Sequence, residues 1–305
     1  MTSSVSHKLF IVPETVYGVT PVTPAFVEIP ITGCTLGLTK NTIQSNTIRS
    51  DRQIADFRDG TQQTGGDINC ELQFDALDDL IEAALCGTWA ANVLEVDTAR
   101  RSFTVLREFT DLTAAEKPFE IYTGVEIINM ALQVSTDAAV TANFTTLGKG
   151  VVSSGTAPSG ATFTAAAAGN VFDSFTGSLT EGGAALGVAT ELGLTLENGS
   201  EARFVIGSNQ TIQPKIGNSN LTGQLGAYFE DHNLLDKFYL GTKSSVAVTL
   251  EDPAGNAYTI EVPKIHFTGG QPDVEGSSDI ILSMPFQALL DSAAGTNLKI
   301  TRAAA

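Results

Sequence analysis

Asp75, Asp78, Asp79 and Glu82 crowd into eight residues of the sequence. Carboxylates this close can hold a divalent cation or share acid and base work, and a metal-dependent hydrolase using Asp75, Asp78 and Asp79 is the chemistry they invite. Their setting argues against it. Leu77, Leu80, Ile81, Ala84 and Leu85 recur at helical spacing behind a candidate N-cap, Asp75. Carboxylates in a first turn favour the positive end of the helix dipole, and the rest form a solvated face. The three histidines, His7, His232 and His266, are far apart and share no metal-ligand spacing. Cys34, Cys70 and Cys86 form no Cys-x-x-Cys pair, and Cys70 takes an inward strand position, that of a small buried hydrophobe. Gly148-Lys149-Gly150 lacks both the following Ser or Thr and the earlier glycine of a phosphate loop. The residues therefore indicate neither an enzyme nor a cofactor or metal site.

The 305 residues carry 34 acidic and 17 basic side chains, a net charge of −17. That balance excludes a protein that grips phosphates, because nucleic-acid affinity rests on Lys and Arg. It permits one that lets nucleic acid pass. No apolar run reaches the ~20 residues of a membrane helix, and Pro13 and Glu14 interrupt any leader-like stretch at the start. No membrane insertion is expected.

The elements that must position these residues come in duplicate. Leu36-Gly37-Leu38-Thr39 recurs as Leu192-Gly193-Leu194-Thr195, and Gly60 and Gly66 recur as Gly217 and Gly223. Ile68–Leu72 parallels Leu225–Phe229, Gly87-Thr88 parallels Gly241-Thr242, and Phe103-Thr104-Val105 matches Tyr258-Thr259-Ile260. Five matches in order at nearly constant offset indicate an internal duplication. Ile68, Cys70, Leu72 and Phe74 alternate with Asn69, Glu71 and Gln73, as in a half-buried strand. A helix follows, with Gly87 expected as its left-handed C-cap. The second copy repeats the order, with Leu234, Leu235 and Phe238 on its helix and Gly241 closing it. Later strands run through Val246, Val248 and Leu250, and through Tyr258, Ile260 and Val262, with the turn Glu251–Asn256 between them. The last alternates Ile280, Leu282, Met284 and Phe286, and Pro285 predicts an edge or a bulge there. The expected fold is mainly β: two tandem β-sandwich or barrel units, each with one short α-helix. The expected boundaries are an N-terminal arm at 1–27, a first unit at 28–148, a linker at 149–170, a second unit at 171–300 and a tail at 301–305. Charge divides evenly, −9 over 1–150 and −8 over 151–305.

Residues 45–60 are long, mixed in charge and poor in core periodicity. They are expected to order against a neighbouring subunit, with Arg49, Arg52 and Arg58 pairing with carboxylates there.

The stretch Glu14-Thr15-Val16-Tyr17-Gly18-Val19-Thr20-Pro21, then Ser45-x-x-Ile48-Arg49-x-Asp51-Arg52-Gln53, then Gly66-x-Ile68-x-x-Glu71-Leu72 running to Trp89, resembles the tail tube (major tail) proteins of long-tailed bacteriophages. Leu192–Thr195 and Thr222-Gly223 continue the pattern in the second copy. The resemblance implies six β-sandwich or barrel units closing a ring, and rings stacking into a tube in the virion through which DNA leaves the capsid. Three duplicated chains then supply six units, a trimer with pseudo-sixfold symmetry, and six chains are the alternative. Implied partners are the chain itself, the tape measure, terminator and distal tail proteins, and genomic DNA passing without specific binding. Implied contact residues between subunits or rings are Arg49, Asp51, Arg52, Gln53, Arg58 and Tyr17. Assembly is expected in the host cytoplasm. An acidic lumen would repel DNA and keep it from sticking. The alternative from composition alone is a β-sandwich carbohydrate-binding or adhesion module, for which one tryptophan and five tyrosines offer few stacking platforms.

Overall fold

The structure, a computed structural model, describes residues 3–48, 50–51, 53–272 and 279–305. It is mainly β, with two short α-helices among the described residues. The first copy contains β1 (His7–Pro13), β2 (Ala25–Ile29), β3 (Gly33–Cys34), β4 (Gly37–Gln44) and β5 (Phe57–Glu71). Helix α1 (Asp78–Leu85) follows, then β6 (Val93–Glu95), β7 (Phe103–Phe109), β8 (Phe119–Ser135), β9 (Thr141–Gly148) and β10 (Gly150–Ser154). After β11 (Thr162–Thr164), the second copy contains β12 (Ser178–Glu181), β13 (Ala184–Ala185), β14 (Ala189–Glu197), β15 (Glu201–Arg203), β16 (Ile212–Lys215) and β17 (Asn220–Tyr228). Helix α2 (Asn233–Leu240) leads to β18 (Ser244–Glu251), β19 (Ala257–Phe267), β20 (Ile281–Ala288) and β21 (Lys299–Ala303).

The duplication is carried by the pairing as well as by the sequence. In the first copy the antiparallel ladders run β1–β7–β8–β9–β5–β4, with β10 also on β8. In the second they run β12–β18–β19–β20–β17–β14, with β21 also on β19. Each strand has its counterpart at the same place in chain order, with the helix between the third and fourth. Two of the five sequence matches slip, Leu38 corresponding by pairing to Leu196, not Leu194, and the C-cap Cys86, not Gly87, to the C-cap Gly241, and a third is overturned. Phe103–Val105 lies in β7, whose counterpart by pairing is β18, whereas Tyr258–Ile260 lies in β19, the counterpart of β8. The alternation of small and β-branched residues is alike in all these strands, so a similar tripeptide does not fix which strand is which.

The two copies are not separate bodies. Strand β8 is long enough to pair with β7 and β10 through its first half and with β9 and β14 through its second. The β8–β14 ladder, Asn129↔Glu197 to Ser135↔Glu191, joins the first copy to the second. Its inward residues Met130, Leu132, Leu192, Leu194 and Leu196 are at most 4 % exposed and belong to one core that runs through both copies. A second ladder joins β21 to β6. Across the joint Asn198, itself buried, donates from Nδ2 to the Ala84 carbonyl near the end of α1 at 2.8 Å. It thereby satisfies one of the carbonyls that a helix end leaves open.

Several local expectations change. Helix α1 begins at Asp78, with Leu77 as N-cap and no side-chain cap; Asp75 lies before it with φ 63°. Cys86, not Gly87, takes the left-handed C-cap conformation. Gly87 is needed for another reason: a Cβ there would sit 2.2 Å from the Glu95 carbonyl oxygen. In α2 the expected Gly241 is the left-handed C-cap. Pro285 lies on β20 between β17 and the end of β19, not on an edge. It accepts from Thr268 N–H at 2.8 Å but has no N–H to return, and regular pairing of β19 with β20 stops at Phe267.

Within residues 1–27, β1 is built into the sheet and β2 pairs with it. Within 149–170, β10 pairs with β8, and β11 lies parallel to β2, with the Phe163 ring against Phe10 and Phe26. Within 301–305, Thr301, Arg302 and Ala303 complete β21 on β19.

Because Leu80 is 1 % exposed in the shared core, Leu80→Ala is expected to cost about 2–5 kcal/mol. Calorimetry should show one transition shifted downwards, both copies melting together; a split into two transitions would show that the copies unfold independently.

Candidate functional site

The acidic cluster resolves into structural contacts. Asp78 is buried, accepts from the Tyr258 hydroxyl and pairs with Arg302, so a helix of the first copy is tied to β19 and β21 of the second. Burial raises the Asp78 carboxyl above the usual range, while the Tyr258 and Arg302 contacts pull the other way. Asp75 lies 3.4 Å from the same guanidinium, which also stacks over the Trp89 ring at 4.6 Å. Glu82 pairs with Arg101 at 3.0 Å and accepts from Trp89 N–H. Asp79 is exposed at the helix start, its pKa raised by partial burial and by Glu82. Among the described residues no group of His, Cys, Asp or Glu is arranged to hold a metal ion.

The other candidates are dispersed. His7 accepts from Arg107 Nε at 3.0 Å, and burial with that cation lowers its pKa. His232 caps α2 beside the Phe229 ring, and His266 lies on β19. Cys70 is buried and its thiol is pushed up to about 12 by burial, so it stays a protonated hydrophobe. The Glu251–Asn256 turn is a hairpin between β18 and β19, with Asp252 Oδ1 accepting from the N–H groups of Ala254 and Asn256.

Of the residues expected at subunit contacts, Arg49 and Arg52 lie outside the described residues. Asp51, Gln53 and Arg58 are exposed. Arg58 pairs with its near neighbour Asp56 at 2.7 Å, and Asp51 Oδ1 accepts from Gln53 N–H at 3.3 Å. The chain here leaves the sheet between Gln44 and Phe57, the last pair of the β4–β5 ladder. It carries exposed Ile43, Ile48, Ile54 and Phe57. Tyr17 is half-buried in its own chain, close to Gly124, in a turn held by Glu14. The Glu14 carboxylate accepts from Gly18 N–H, Gly124 N–H, Ser102 Oγ and Thr104 Oγ1.

The feature that sequence reading missed is a surface. The β8–β14 ladder makes six strands continuous, in the order β5–β9–β8–β14–β17–β20. One face of this sheet is the core, on which the helices pack. The other is polar and carries Asn69, Asn143, Gln133, Thr195, Gln224 and Ser283, with the acids Asp67, Glu71, Glu191 and Glu197. Of the Lys and Arg residues these six strands hold only Arg58, near the start of β5 and outside the Thr64–Glu71 part that pairs with β9. Its side chains bond one another sideways: Asn143 to Asn69, Thr145 to Asp67 at 2.8 Å, and Gln224 to Glu191 at 3.1 Å and Ser283 at 2.8 Å. The alternation of Asn69, Glu71 and Gln73 signalled this face for one strand. Only the pairing across copies extends it into a wall.

A family model for phage tail tube proteins matches residues 5–288. The chain belongs to that family. It is a structural tail tube protein, a component of the virion tail. Comparison with curated proteins found no match. In this tail tube protein the acidic cluster is taken up by contacts within the chain, while the polar face and the loop between β4 and β5 stay exposed.

Tyr258→Phe is expected to destabilise the protein by about 1–3 kcal/mol, because one of the two donors to the buried Asp78 is removed and only Arg302 remains. Urea denaturation measures it; an unchanged midpoint would show that the hydroxyl does not support Asp78.

Proposed function

We propose that this tail tube protein assembles into hollow rings that stack as the conduit for DNA delivery, with the polar sheet face lining the lumen. The observation that carries this reading is a continuous sheet across both copies, with its helices on one side and, where β5 runs along β9 and throughout the other five strands, no Lys or Arg on the other. Duplex DNA carries one negative charge per ~1.7 Å, so a wall of amides, hydroxyls and four carboxylates gives it nothing to bind and mild repulsion throughout. Amides already bonded to neighbouring strands also have fewer donors to offer a phosphate. The chain works without catalysis, and DNA passes without base-specific contact.

Two copies per chain favour three chains per ring, six units in all; six chains are the alternative, with a wider lumen. The remaining partners are the proteins at the two ends of the tube and the tape measure within it, and assembly takes place in the host cytoplasm. The 45–60 loop, with Arg49, Asp51, Arg52, Gln53 and Arg58, and the Tyr17 turn make contacts between chains. A counterpart supports the role of the loop. The β15–β16 hairpin, which occupies the same place in the second copy, lies across the first: Gln62 N–H donates to the Asn209 carbonyl at 2.7 Å, and Gln213 Nε2 to Glu126 at 3.0 Å.

End-on electron microscopy of the assembled protein tests the ring, with six lobes and the mass of three chains expected. Topology is tested by labelling. Gln133→Cys in assembled tubes should react with a small maleimide and resist a polymer-linked one, whereas Tyr239→Cys, on the exposed side of α2, should accept both. Equal reaction of Gln133→Cys with the polymer would place the polar face outside. Deleting 46–56 should leave the far-UV spectrum and the melting temperature nearly unchanged and block growth of tubes; a lost β spectrum would show that the loop is part of the folded core.

A further inference from the structure

Where β14 starts, the core of the second copy lies open. A hollow of about 330 Å³ enters it between β8, β12, β14 and β18, lined by Val134, Leu179, Leu186, Leu192, Val248 and Leu250. The last three are buried and the first three half-buried, and no Lys or Arg lines the hollow. The first copy has a hollow in the same place with different chemistry. The β7–β8 and β18–β19 ladders both slip after their first pair, Phe103↔Val125 and Ser244↔Ile265. Counting on from the slip makes Arg107 the counterpart of Val248, and Phe109 that of Leu250. The β1–β7 and β12–β18 registers then make His7 the counterpart of Gly177. His7, Arg107 and Phe109 line a hollow of about 310 Å³. There the Arg107 guanidinium lies 5.4 Å from the Phe109 ring and donates to His7, the Leu36 carbonyl and Glu120. One hollow is cationic and hydrogen-bonded, the other apolar.

The connections at the opposite end are unequal too. Four antiparallel pairings, β4–β5, β5–β9, β9–β8 and β8–β14, separate β4 from β14, so these two strands run the same way. The loop after β4 therefore leaves the sheet at the end opposite to the hollow at the start of β14. The second copy folds its equivalent connection, the β15–β16 hairpin, against the first copy. The first copy leaves its loop out, with Ile48 99 % exposed and Ile54 exposed beside it. Each chain thus has one free apolar loop, on the first copy, and one apolar hollow, on the second.

We propose that the hollow of the second copy receives Ile48 from a chain of the next ring, and that the hollow of the first copy receives no loop. This rests on the reading of stacked rings above and adds where the loop is seated and on which copy. Charge agrees with the seat. Arg49 and Arg52 follow Ile48 in the sequence, while Glu191 lines the hollow and Asp137 and Asp173 adjoin its lining residues Thr136 and Ser174. An isoleucine in the first copy's hollow would instead strip water from the Arg107 cation and offer it nothing in return. A consequence follows for symmetry. Rotating one ring on the next by a single copy carries every loop from an apolar hollow to a cationic one. The duplicated ring, alike in its backbone at six places, then stacks in only one of its two registers.

Paired cysteines test the seat. Ala185 and Ser4 are exposed at the rims of the second and first hollows. Tubes of an Ile48→Cys/Ala185→Cys variant, treated with a short bis-maleimide, should give a ladder of products larger than one ring holds. Ile48→Cys/Ser4→Cys tubes and the three single variants should stay unlinked. Tubes of normal appearance in which Ala185→Cys does not link, or links no better than Ser4→Cys, would overturn the proposal and leave stacked rings standing. If the paired variant forms no tubes, Ala185→Trp supplies a second arm, since an indole at the rim blocks the hollow. Separate rings without tubes are then expected, and tubes of normal length would overturn the seat. Absence of rings and tubes from the unsubstituted chain would instead remove the tube reading itself.

Discussion

The pairing of β8 with β14 is the constraint on which the rest depends. It is made by a strand of 17 residues that serves two neighbourhoods, and the seven residue pairs of the joint bury apolar side chains from both copies. Full burial of a leucine or methionine contributes about 1.5–3 kcal/mol, and five such side chains line this joint. The Asp78–Tyr258–Arg302 cluster crosses the same boundary, but burying charges offsets most of what their attraction returns. The apolar seam therefore holds the copies together. The polar cluster fixes how they sit, since a misaligned joint would leave Asp78 buried without donors.

From that joint follows the wall. A sheet continued across two copies has one inner side covered by helices and one polar side that no described element covers. The same continuation leaves the outer edge of β4 with no described strand beside it. The lateral bonds among Asn, Gln and Thr on the exposed face hold its side chains to one another across neighbouring strands.

Departures between the copies show where the duplicated sequence has been used differently. The first copy keeps a long connection between β4 and β5 with exposed isoleucines, whereas the second folds its connection into the β15–β16 hairpin against the first copy. Pro285 is the sharpest case. Read along the chain it indicates an edge or bulge, yet its strand is interior. The missing N–H acts on the neighbouring strand, where regular pairing ends at Phe267 while the counterpart β8 continues to Ser135.

The sequence by itself determined the β class, the two helices and the duplication, because alternation, helical spacing and repeated glycines are local signals that survive in any arrangement. It also placed Cys70, Leu80 and Leu225 inside, since each sits on the apolar side of a periodic run. It misassigned Phe103–Val105 to the wrong counterpart and took Asp78 for a first-turn carboxylate at the helix dipole, not for a buried tie to the second copy. Both depend on which strand lies beside which, and strand order is set by contacts between residues more than a hundred positions apart. The polar wall and the shared core were decided by tertiary structure alone. Residues such as Gln133, Glu191 and Gln224 are unremarkable in sequence and acquire a common face only when β8 meets β14.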